Sequence, residues 1–381
     1  MSAVDERVWG QPCAGVAALE RELARMRRGR TAQAREQVAT VARAAVVNIV
    51  VVARREIHAQ RASHTVEQLA RRHPSRTVVV LGDPHPDPRA APEVSLYARL
   101  PSLDEFDQDH FEQVLVRAHG AAEDRLASVV TPLLVPDLPL FLWWTETPPI
   151  GARHFEELVS QAHRLVVDSA DFARPEETIP AVASVCFVGA QHCALTDLNW
   201  ARLTAWRELL TQFFDVPAWR ELLPRVDGVR VSFAVDADGR EIHPSQALLL
   251  IGWLAARLGW RRVDHLAPSE AGGLLFAMER ADGQRVRIRI RPRFEIGMTE
   301  GYVTGIRMEA PGDAGRTEFR IHRDGASRHA SATVTRDGAV VSERILPLPR
   351  TDVTELLGEE LSILASDRVY EEALAVLVTL A

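Results

Sequence analysis

Lysine is missing from this chain, because all 45 basic side chains among its 381 residues are arginine. A Schiff-base mechanism needs a lysine amine, and a P-loop phosphate site needs a lysine side chain. Both classes of chemistry are therefore excluded. We attribute the bias itself to codon usage in a GC-rich genome.

Cysteine and long apolar runs are also scarce. The three cysteines, Cys13, Cys186 and Cys193, form no CxxC motif and no even disulfide framework, which favours a reducing compartment. The longest apolar stretch, VVTPLLVPDLPLFLWW, is interrupted by prolines and an aspartate, whereas a membrane helix needs roughly 18 to 20 apolar residues in a row. The N-terminus has no apolar signal segment. We expect a cytoplasmic protein without a membrane partner.

The charge balance is mild. A formal net charge of −7, with 46% hydrophobic and 25% charged residues, is typical of folded globular proteins. These values argue against disorder and do not favour a nucleic-acid partner.

Specific catalytic motifs are absent as well. The sequence has no GxSxG elbow, HExxH helix, GxGxxG loop or pair of CxxC knuckles. Cys186, His192 and Cys193 lie close together, but a structural zinc site needs four ligands and no fourth is nearby. We interpret them as buried thiols, with metal binding and redox pairing as alternatives. The sequence predicts no catalytic residue, no metal and no cofactor.

What the sequence does contain is an alternation of short valine-rich runs and helical segments. The runs at 44–53, 76–83, 138–144 and 164–170 are typical of strands buried on both faces, and helical periodicity lies between them. This pattern predicts a mainly parallel sheet flanked by helices over roughly residues 40–177.

The pattern changes after about residue 225. Alternating strands separated by Asp-Gly turns, at 282–283, 324–325 and 337–338, predict an antiparallel meander. SQALLLIGWLAARLGW is apolar almost all round and predicts a buried helix capped by Ser245 and Gly259. The predicted fold class is therefore α/β plus α+β. The predicted domains are an N-terminal helix and linker (1–39), the α/β domain (40–177) and an α+β domain (178–381).

Arginines surround a helix-to-strand corner in RRHPSR. Arg71, Arg72 and Arg76 could hold a phosphate bidentately, although cations at a helix C-terminus also satisfy the macrodipole without a ligand. We keep these residues as a possible anion site.

Two further segments could contact a partner. RVRIRIRPR, at 285–293, alternates inward aliphatic residues with outward arginines, so it forms either a solvated sheet face or a surface for an acidic partner. Trp143 and Trp144 end a buried strand, at the edge where open α/β sheets bind ligands. These tryptophans could equally be core aromatics or interface anchors.

DLNWARLTAWRELLTQFFD, residues 197–215, predicts one amphipathic helix with polar residues on its apolar side. One interpretation is that Asp197 or Asn199 caps the helix while Arg202 pairs inside the fold. The other is that this side meets a partner or closes a groove between domains. The candidate partner-binding residues are Asn199, Trp200, Arg202, Trp206, Arg207, Trp143 and Trp144.

The segments at 71–80, 129–149, 197–215, 248–260 and 346–374 resemble, in order, the OpcA family of glucose-6-phosphate dehydrogenase assembly proteins. The resemblance implies a non-catalytic role: promoting the active oligomer of glucose-6-phosphate dehydrogenase, or raising its affinity for substrate. In some members this role is tied to the redox state of cysteines, but the three cysteines here match no such pattern. The alternative is an enzyme or sensor that binds a sugar phosphate or nucleotide through arginines at the carboxyl edge of the α/β sheet.

Overall fold

The computed structural model describes most of the chain. It describes residues 9, 11–36, 45–70, 72–83, 93–100, 112–187, 193–236, 243–264, 267–269, 272–325, 327–362 and 365–380. These residues form two compact units, each assembled from several segments. The first unit takes its residues from 1–168, 185–196 and 352–365, and the second from 169–184, 197–351 and 366–381. The sequence predicts one domain boundary after residue 39 and another after residue 177. Each unit of the structure instead combines three segments that are separate in sequence.

Helices and strands alternate through the first half of the chain, and further helices lie in the second half. The helices are α1 (Val16–Glu36), α2 (Glu56–Leu69), α3 (Leu126–Val130), α4 (Arg153–Gln161), α5 (Pro175–Phe187), α6 (Leu198–Arg202), α7 (Thr204–Phe213), α8 (Pro217–Arg220), α9 (Ser245–Leu258), α10 (Val353–Ser362) and α11 (Arg368–Leu380). The strands of the first half are β1 (Val47–Ala53), β2 (Ser75–Leu81), β3 (Glu93–Arg99), β4 (Glu112–His119), β5 (Leu140–Trp144), β6 (Arg164–Val167) and β7 (Ala194–Asp197).

Strands dominate the second half. They are β8 (Gly228–Val235), β9 (Arg261–Arg262), β10 (Ala267–Pro268), β11 (Leu274–Glu279), β12 (Arg285–Phe294), β13 (Val303–Gly312), β14 (Gly315–Arg323), β15 (His329–Arg336) and β16 (Ala339–Pro347).

The first sheet has the strand order β3-β4-β2-β1-β5-β6-β7. β4, β2, β1, β5 and β6 run parallel, and β3 pairs with β4 in the antiparallel direction. Every residue of β1 and β2 is buried, as expected for strands covered on both faces.

The second sheet has the main strand order β10-β11-β12-β8-β13-β14-β15-β16. Its neighbours are antiparallel except β8 and β12, which run parallel. One face is apolar and buried: Val231, Ile290, Ile306 and Ile321 lie in one cross-strand row. The two sheets confirm the predicted fold class.

Special backbone positions carry the expected residues. Asp337 and Gly338, between β15 and β16, both have positive φ (49° and 84°), as a type I′ hairpin turn requires. Gly259 ends α9 in the left-handed conformation, at φ 67°. Gly252 allows α9 and α11 to approach closely, because a Cβ there would lie 2.8 Å from the carbonyl oxygen of Ala373.

The structure corrects two local predictions. The single helix predicted over 197–215 is wrong, because Leu203 (φ −83°, ψ −4°) interrupts it and separates α6 from α7. Ser245 is not the N-cap of α9, because Pro244 occupies that position and makes no side-chain cap bond. The Ser245 hydroxyl instead accepts a hydrogen bond from Asn199.

Within the described part of the chain, no helix combines the length and the apolar character needed to cross a membrane.

Candidate functional site

Charged side chains gather where the central parallel strands of the first sheet end. β1 and β5 are neighbours in the sheet, although β2 to β4 separate them in sequence, so their carboxyl ends form the switch point at which open α/β sheets bind ligands. Arg54 follows β1, Asp83 follows β2 and Glu146 follows β5. His119 ends β4, and Glu123 lies in the 3-10 turn after it. We call these five residues the carboxyl-edge cluster.

Glu146 lies at the N-terminus of α2. Its Oε1 is 2.8 Å from Nε of Arg55 and 2.8 Å from Nδ1 of His58, and its Oε2 accepts a hydrogen bond from the backbone N–H of Arg54 at 3.3 Å. The N-cap residue Arg55 makes no side-chain cap bond of its own. A helix N-terminus favours a carboxylate for the same reasons that it favours a phosphate. Glu146 therefore places a carboxylate beside the N-terminus of α2, where a helix favours negative charge.

Glu123 forms the other half of the cluster. Its Oε1 accepts the backbone N–H of Asp83 at 2.5 Å, and its Oε2 lies 3.3 Å from Nη1 of Arg54. Nη1 of Arg54 also donates to the Asp83 carbonyl at 2.9 Å, and Nδ1 of His119 lies 2.7 Å from Oδ1 of Asp83. Gly82 leaves room for this carboxylate, because a Cβ there would lie 3.0 Å from Oε1 of Glu123. Arg54, Asp83, His119 and Glu123 are therefore paired within the cluster, whereas Glu146 pairs with Arg55 and His58 beside it.

Burial shifts the pKa values of groups in and beside the cluster. It raises the pKa of Glu123 above its ordinary value, although a backbone hydrogen bond and Arg54 oppose the shift. Burial, assisted by Arg55, lowers the pKa of His58. Burial, assisted by Arg54, lowers the pKa of His154. In each case the uncharged form is favoured, as desolvation requires.

The sequence itself contains a signal for this cluster. The segments VVVARR, VVVLGD and FLWWTE each pass from a buried strand to a charged residue. The carboxyl ends of parallel strands meet at one edge, so the first charged residue after each run can be placed there from the strand assignment alone. Which of those charges pair depends on the strand order, which the sequence does not state.

The predicted anion-binding residues are not part of this cluster. Arg76 lies near the opposite, amino end of β2 and is 5% exposed. Its Nε donates to Glu112 at 2.7 Å, and its Nη1 donates to Glu20 at 2.8 Å. Arg72 is exposed after α2, and Arg71 lies outside the described residues. The donors of Arg76 are thus engaged by carboxylates of the same chain. This geometry does not support an anion site there.

Trp143 and Trp144 end β5 and belong to the core of the first unit. They are 6% and 3% exposed. The ring of Trp144 stacks on His154 with centroids 6.1 Å apart and meets the edge of Phe155 at 5.1 Å. The indole Nε1 of Trp143 is buried without a hydrogen-bond acceptor among the described residues. A partner protein could reach these rings only after a rearrangement.

Asn199 lies at the centre of a hydrogen-bond network in the second unit and is fully buried. Its Nδ2 donates to Oγ of Ser169 at 3.2 Å and to Oγ of Ser245 at 2.9 Å. Its Oδ1 accepts from Nε2 of Gln246 at 2.8 Å. Asp197 caps α6 by accepting the backbone N–H of Asn199 at 2.9 Å. These contacts explain why an amide is tolerated on the apolar side of this segment.

Trp200 and Arg207 pack against each other in the same unit. The guanidinium carbon of Arg207 lies 3.6 Å from the centre of the Trp200 ring. The Trp200 ring also contacts Tyr370 at a centroid distance of 5.1 Å, and the indole Nε1 donates to Asp367 at 2.8 Å. Burial lowers the pKa of Arg207 to about 10. The pair is therefore part of the packed interior, with only the arginine half-buried.

Arg202 and Trp206 complete the predicted partner-binding set. Arg202 is half-buried, with its guanidinium carbon 5.8 Å from the centre of the Tyr302 ring. Trp206 is 3% exposed, and the centre of its ring lies 5.8 Å from the guanidinium carbon of Arg323. Among the predicted partner-binding residues, Arg202 and Arg207 are the ones that keep partial exposure.

The buried cysteines of the first unit form a thiol pair. Cys186 and Cys193 hydrogen-bond to each other, which raises the pKa of Cys186 and lowers that of Cys193. Both are free thiols, and His192 lies outside the described residues. No group of three or more potential ligand side chains in the described ranges is arranged to hold a metal ion.

The fold and this geometry define a two-unit α/β and α+β protein whose sheet-edge charges are neutralised internally. Two family models, both described as domains of a glucose-6-phosphate dehydrogenase subunit, match the chain. The model of the N-terminal domain matches residues 66–184, and the model of the C-terminal domain matches residues 193–374. The chain belongs to the OpcA family, as its resemblance predicted.

Three cyanobacterial relatives, each provisionally named OxPP cycle protein OpcA, are similar to the chain. The protein of Nostoc punctiforme is 30% identical over 199 residues, which are 52% of this chain and 41% of that protein. The protein of Synechococcus elongatus is 27% identical over 81% of this chain and 68% of its own length. The protein of Synechocystis is 23% identical over 84% of this chain and 66% of its own length. The match thus spans 41% of the length of the Nostoc protein and 66% of the length of the Synechocystis protein, which is less than two thirds in both cases.

Solved structures are similar at the level of the chain trace. KijD10, a 3-ketoreductase from Actinomadura kijaniata, matches with a TM-score of 0.48 and 12% identity, over 88% of this chain and 95% of that one.

Proposed function

We propose that this protein is a non-catalytic assembly factor and allosteric effector that binds glucose-6-phosphate dehydrogenase and favours its active oligomer. The observation that carries the proposal is that two domain models named for a subunit of that enzyme match most of the chain. Such a protein would act in the cytoplasm and support oxidative pentose phosphate flux and NADPH production. We propose no membrane partner and no nucleic-acid partner for it.

The carboxyl edge of the first sheet does not favour a small anionic ligand, because its arginines and carboxylates pair with each other. At the switch point the Glu146 carboxylate accepts a hydrogen bond from the backbone N–H of Arg54, just before α2. The Glu123 carboxylate accepts one from the backbone N–H of Asp83. Arg54 and Arg55, the basic residues at this edge, are paired with these carboxylates. The alternative function, sugar-phosphate or nucleotide binding through arginines at this edge, would require those pairs to open.

The mechanism we propose is thermodynamic linkage. An effector shifts an oligomer equilibrium only by the difference between its affinities for the two states. A coupling free energy of about 1–3 kcal/mol would change the apparent affinity by about 5- to 150-fold. Catalytic groups on the effector are not needed for this.

Steady-state kinetics test the proposal. Purified dehydrogenase from the same organism is titrated with this chain, and KM for glucose-6-phosphate and kcat are measured at each concentration. We expect KM to fall or kcat to rise with saturation, while the chain alone turns over no glucose-6-phosphate. Heat-denatured chain is the matched control. Unchanged kinetic constants, or turnover of a sugar phosphate by the chain alone, would argue against the proposal.

A further inference from the structure

The exposed face of the second sheet carries a row of arginines across its central strands. Arg289 of β12 pairs with Arg230 of β8, Arg230 pairs with Arg307 of β13, and Arg307 pairs with Arg320 of β14. Because directly paired residues point to the same face, four guanidinium groups stand side by side. We call these four residues the arginine row.

Arginines next to the row extend it along β12. Arg287 and Arg291 lie two residues to either side of Arg289, and therefore on the same face. Of these six arginines, Arg307 alone forms ion pairs within the described part of the chain, at 2.9 Å to Glu309 and 2.7 Å to Glu318.

Arg230 is the least satisfied member of the row. Its Nε is buried without a hydrogen-bond acceptor among the described residues. Burial lowers its pKa, and the positive charges of Arg307, Arg291 and Arg289 lower it further. Unbalanced positive charge is thus concentrated at the middle of the face.

The nearby carboxylates balance only part of this charge, because Glu309 and Glu318 pair with Arg307 and the others are engaged outside the row. Glu309 accepts from Arg316 at 2.9 Å as well as from Arg307, and Asp227 accepts from Arg316 at 2.6 Å. Within the residues that the structure describes, no carboxylate pairs with Arg230, Arg289 or Arg320, so these arginines are available to an acidic group of another molecule.

Protection of a sheet edge does not explain the arginines. Charged residues discourage aggregation when they lie on edge strands, where backbone groups are unpaired. Here the row lies on the interior strands β12, β8, β13 and β14. The edge strand β16 instead exposes Val340 and Ile345, which are 62% and 76% exposed. Edge protection would place the charges on β16 and keep apolar side chains off it, whereas this sheet has its arginine row on interior strands.

The dimensions and borders of the face favour a protein as its occupant. Four neighbouring strands span roughly 14 Å at about 4.8 Å per strand, which is longer than one phosphate group. Leu275, beside Arg289 in register, is 41% exposed, so an apolar side chain borders the charged row. Arginine is enriched at protein interfaces and among the residues that dominate their binding energy.

We propose that the arginine row is a docking surface for an acidic surface patch of a partner protein. In naming that partner as glucose-6-phosphate dehydrogenase, the inference rests on the proposed function. Carboxylates of the partner would pair with Arg230, Arg289 and Arg320 as water is displaced. Such contacts raise the association rate and make affinity dependent on ionic strength.

Charge reversal tests the surface. The double variant R289E/R320E changes two members of the row, and Arg344→Glu is the matched control because Arg344 is exposed on the same sheet and points to the opposite face. Dissociation constants for the dehydrogenase and for poly-L-glutamate are measured by interferometry at about 0.01 and about 0.15 M salt, where the Debye length falls from about 30 Å to about 8 Å. Melting temperatures check that both variants fold.

We expect R289E/R320E to bind the dehydrogenase at least about tenfold more weakly than wild type at low salt, with a smaller salt dependence, while Arg344→Glu binds like wild type. Wild-type affinity in the double variant would overturn the docking surface and leave the proposed function standing. If wild type does not bind the dehydrogenase but binds poly-L-glutamate, and R289E/R320E weakens that binding, the proposed function fails and the docking surface stands. If it binds neither probe, both fail. Displacement by millimolar inorganic phosphate would overturn the assignment to a protein and indicate a small-anion site.

Discussion

The guanidinium group of Arg207 lies over the ring of Trp200, 3.6 Å from its centre, and donates from Nη1 to the Trp200 carbonyl at 3.1 Å. Its Nη2 donates to Thr204 at 3.0 Å. The planar group therefore stacks and makes two hydrogen bonds at once. This relationship explains how a basic residue is accommodated on the apolar side of the 197–215 segment.

Arg207→Lys should lower the free energy of unfolding by about 1–2 kcal/mol. A lysine ammonium is more strongly hydrated than a guanidinium and cannot stack while donating in two fixed directions. Urea denaturation measures the loss. Glu208→Gln, at the exposed neighbouring position, should change stability by less than about 0.5 kcal/mol. Equal stabilities of the two variants would show that the stacked geometry contributes nothing.

Trp206→Ala should destabilise the protein by about 3–5 kcal/mol, because a side chain only 3% exposed is removed from a packed core. Thermal and urea denaturation measure this effect. A variant with wild-type stability and weaker dehydrogenase binding would instead place Trp206 in an interface, against the burial described above.

Stability should fall on mild acidification. Burial lowers the pKa values of His58, His73, His154 and His322 below the ordinary value of about 6.5. The unfolded chain therefore takes up protons first as the pH falls below about 6.5, so the stability present above that pH is lost progressively.

His154→Phe isolates one of these contributions, because a phenyl ring can still stack on Trp144. The difference in unfolding free energy between about pH 7.5 and about pH 5.5 should be smaller in the variant than in wild type. Urea denaturation at both pH values measures it. The same pH dependence in both proteins would mean that protonation of His154 is not linked to unfolding.

Glu146→Ala should open an anion-binding position at the N-terminus of α2. The variant loses the carboxylate that accepts the Arg54 backbone N–H and pairs with Arg55, at a cost of about 1–2 kcal/mol. Sulfate should then raise its melting temperature more than it raises that of wild type, at ionic strength matched with chloride. Glu157→Ala, which removes an exposed i,i+4 pair with Arg153, is the control. An identical sulfate response in all three proteins would contradict the idea that Glu146 stands in for an anion.

Local patterns in the sequence predict much of the fold. The alternation in RVRIRIRPR places Val286, Ile288 and Ile290 in the core, where each is 0% exposed. Asp337-Gly338 and Gly259 mark a hairpin and a helix end, because only certain residues tolerate positive φ. These features depend on neighbours within a few residues.

Long-range pairing is what the sequence does not supply. Arg76 looks like a ligand-binding residue until Glu112, 36 residues away, is placed beside it. The sequence places Asn199 on the apolar side of its segment, but it does not identify Ser169 and Ser245, 30 and 46 residues away, as its hydrogen-bond partners. The arginine row depends likewise on a strand order in which β12 lies beside β8. The sequence alone therefore indicates the β12 part of this surface, whereas the addition of Arg230, Arg307 and Arg320 requires the sheet register.

We propose that this chain shifts the quaternary equilibrium of glucose-6-phosphate dehydrogenase. Sedimentation velocity of the dehydrogenase, at a fixed concentration near its oligomer dissociation constant and with increasing amounts of this chain, tests it most directly. Linkage predicts that the fraction of active oligomer rises with saturation and that the chain co-sediments with that oligomer. An unchanged distribution of dehydrogenase species at saturating chain, or sedimentation of the two proteins apart, would contradict the account.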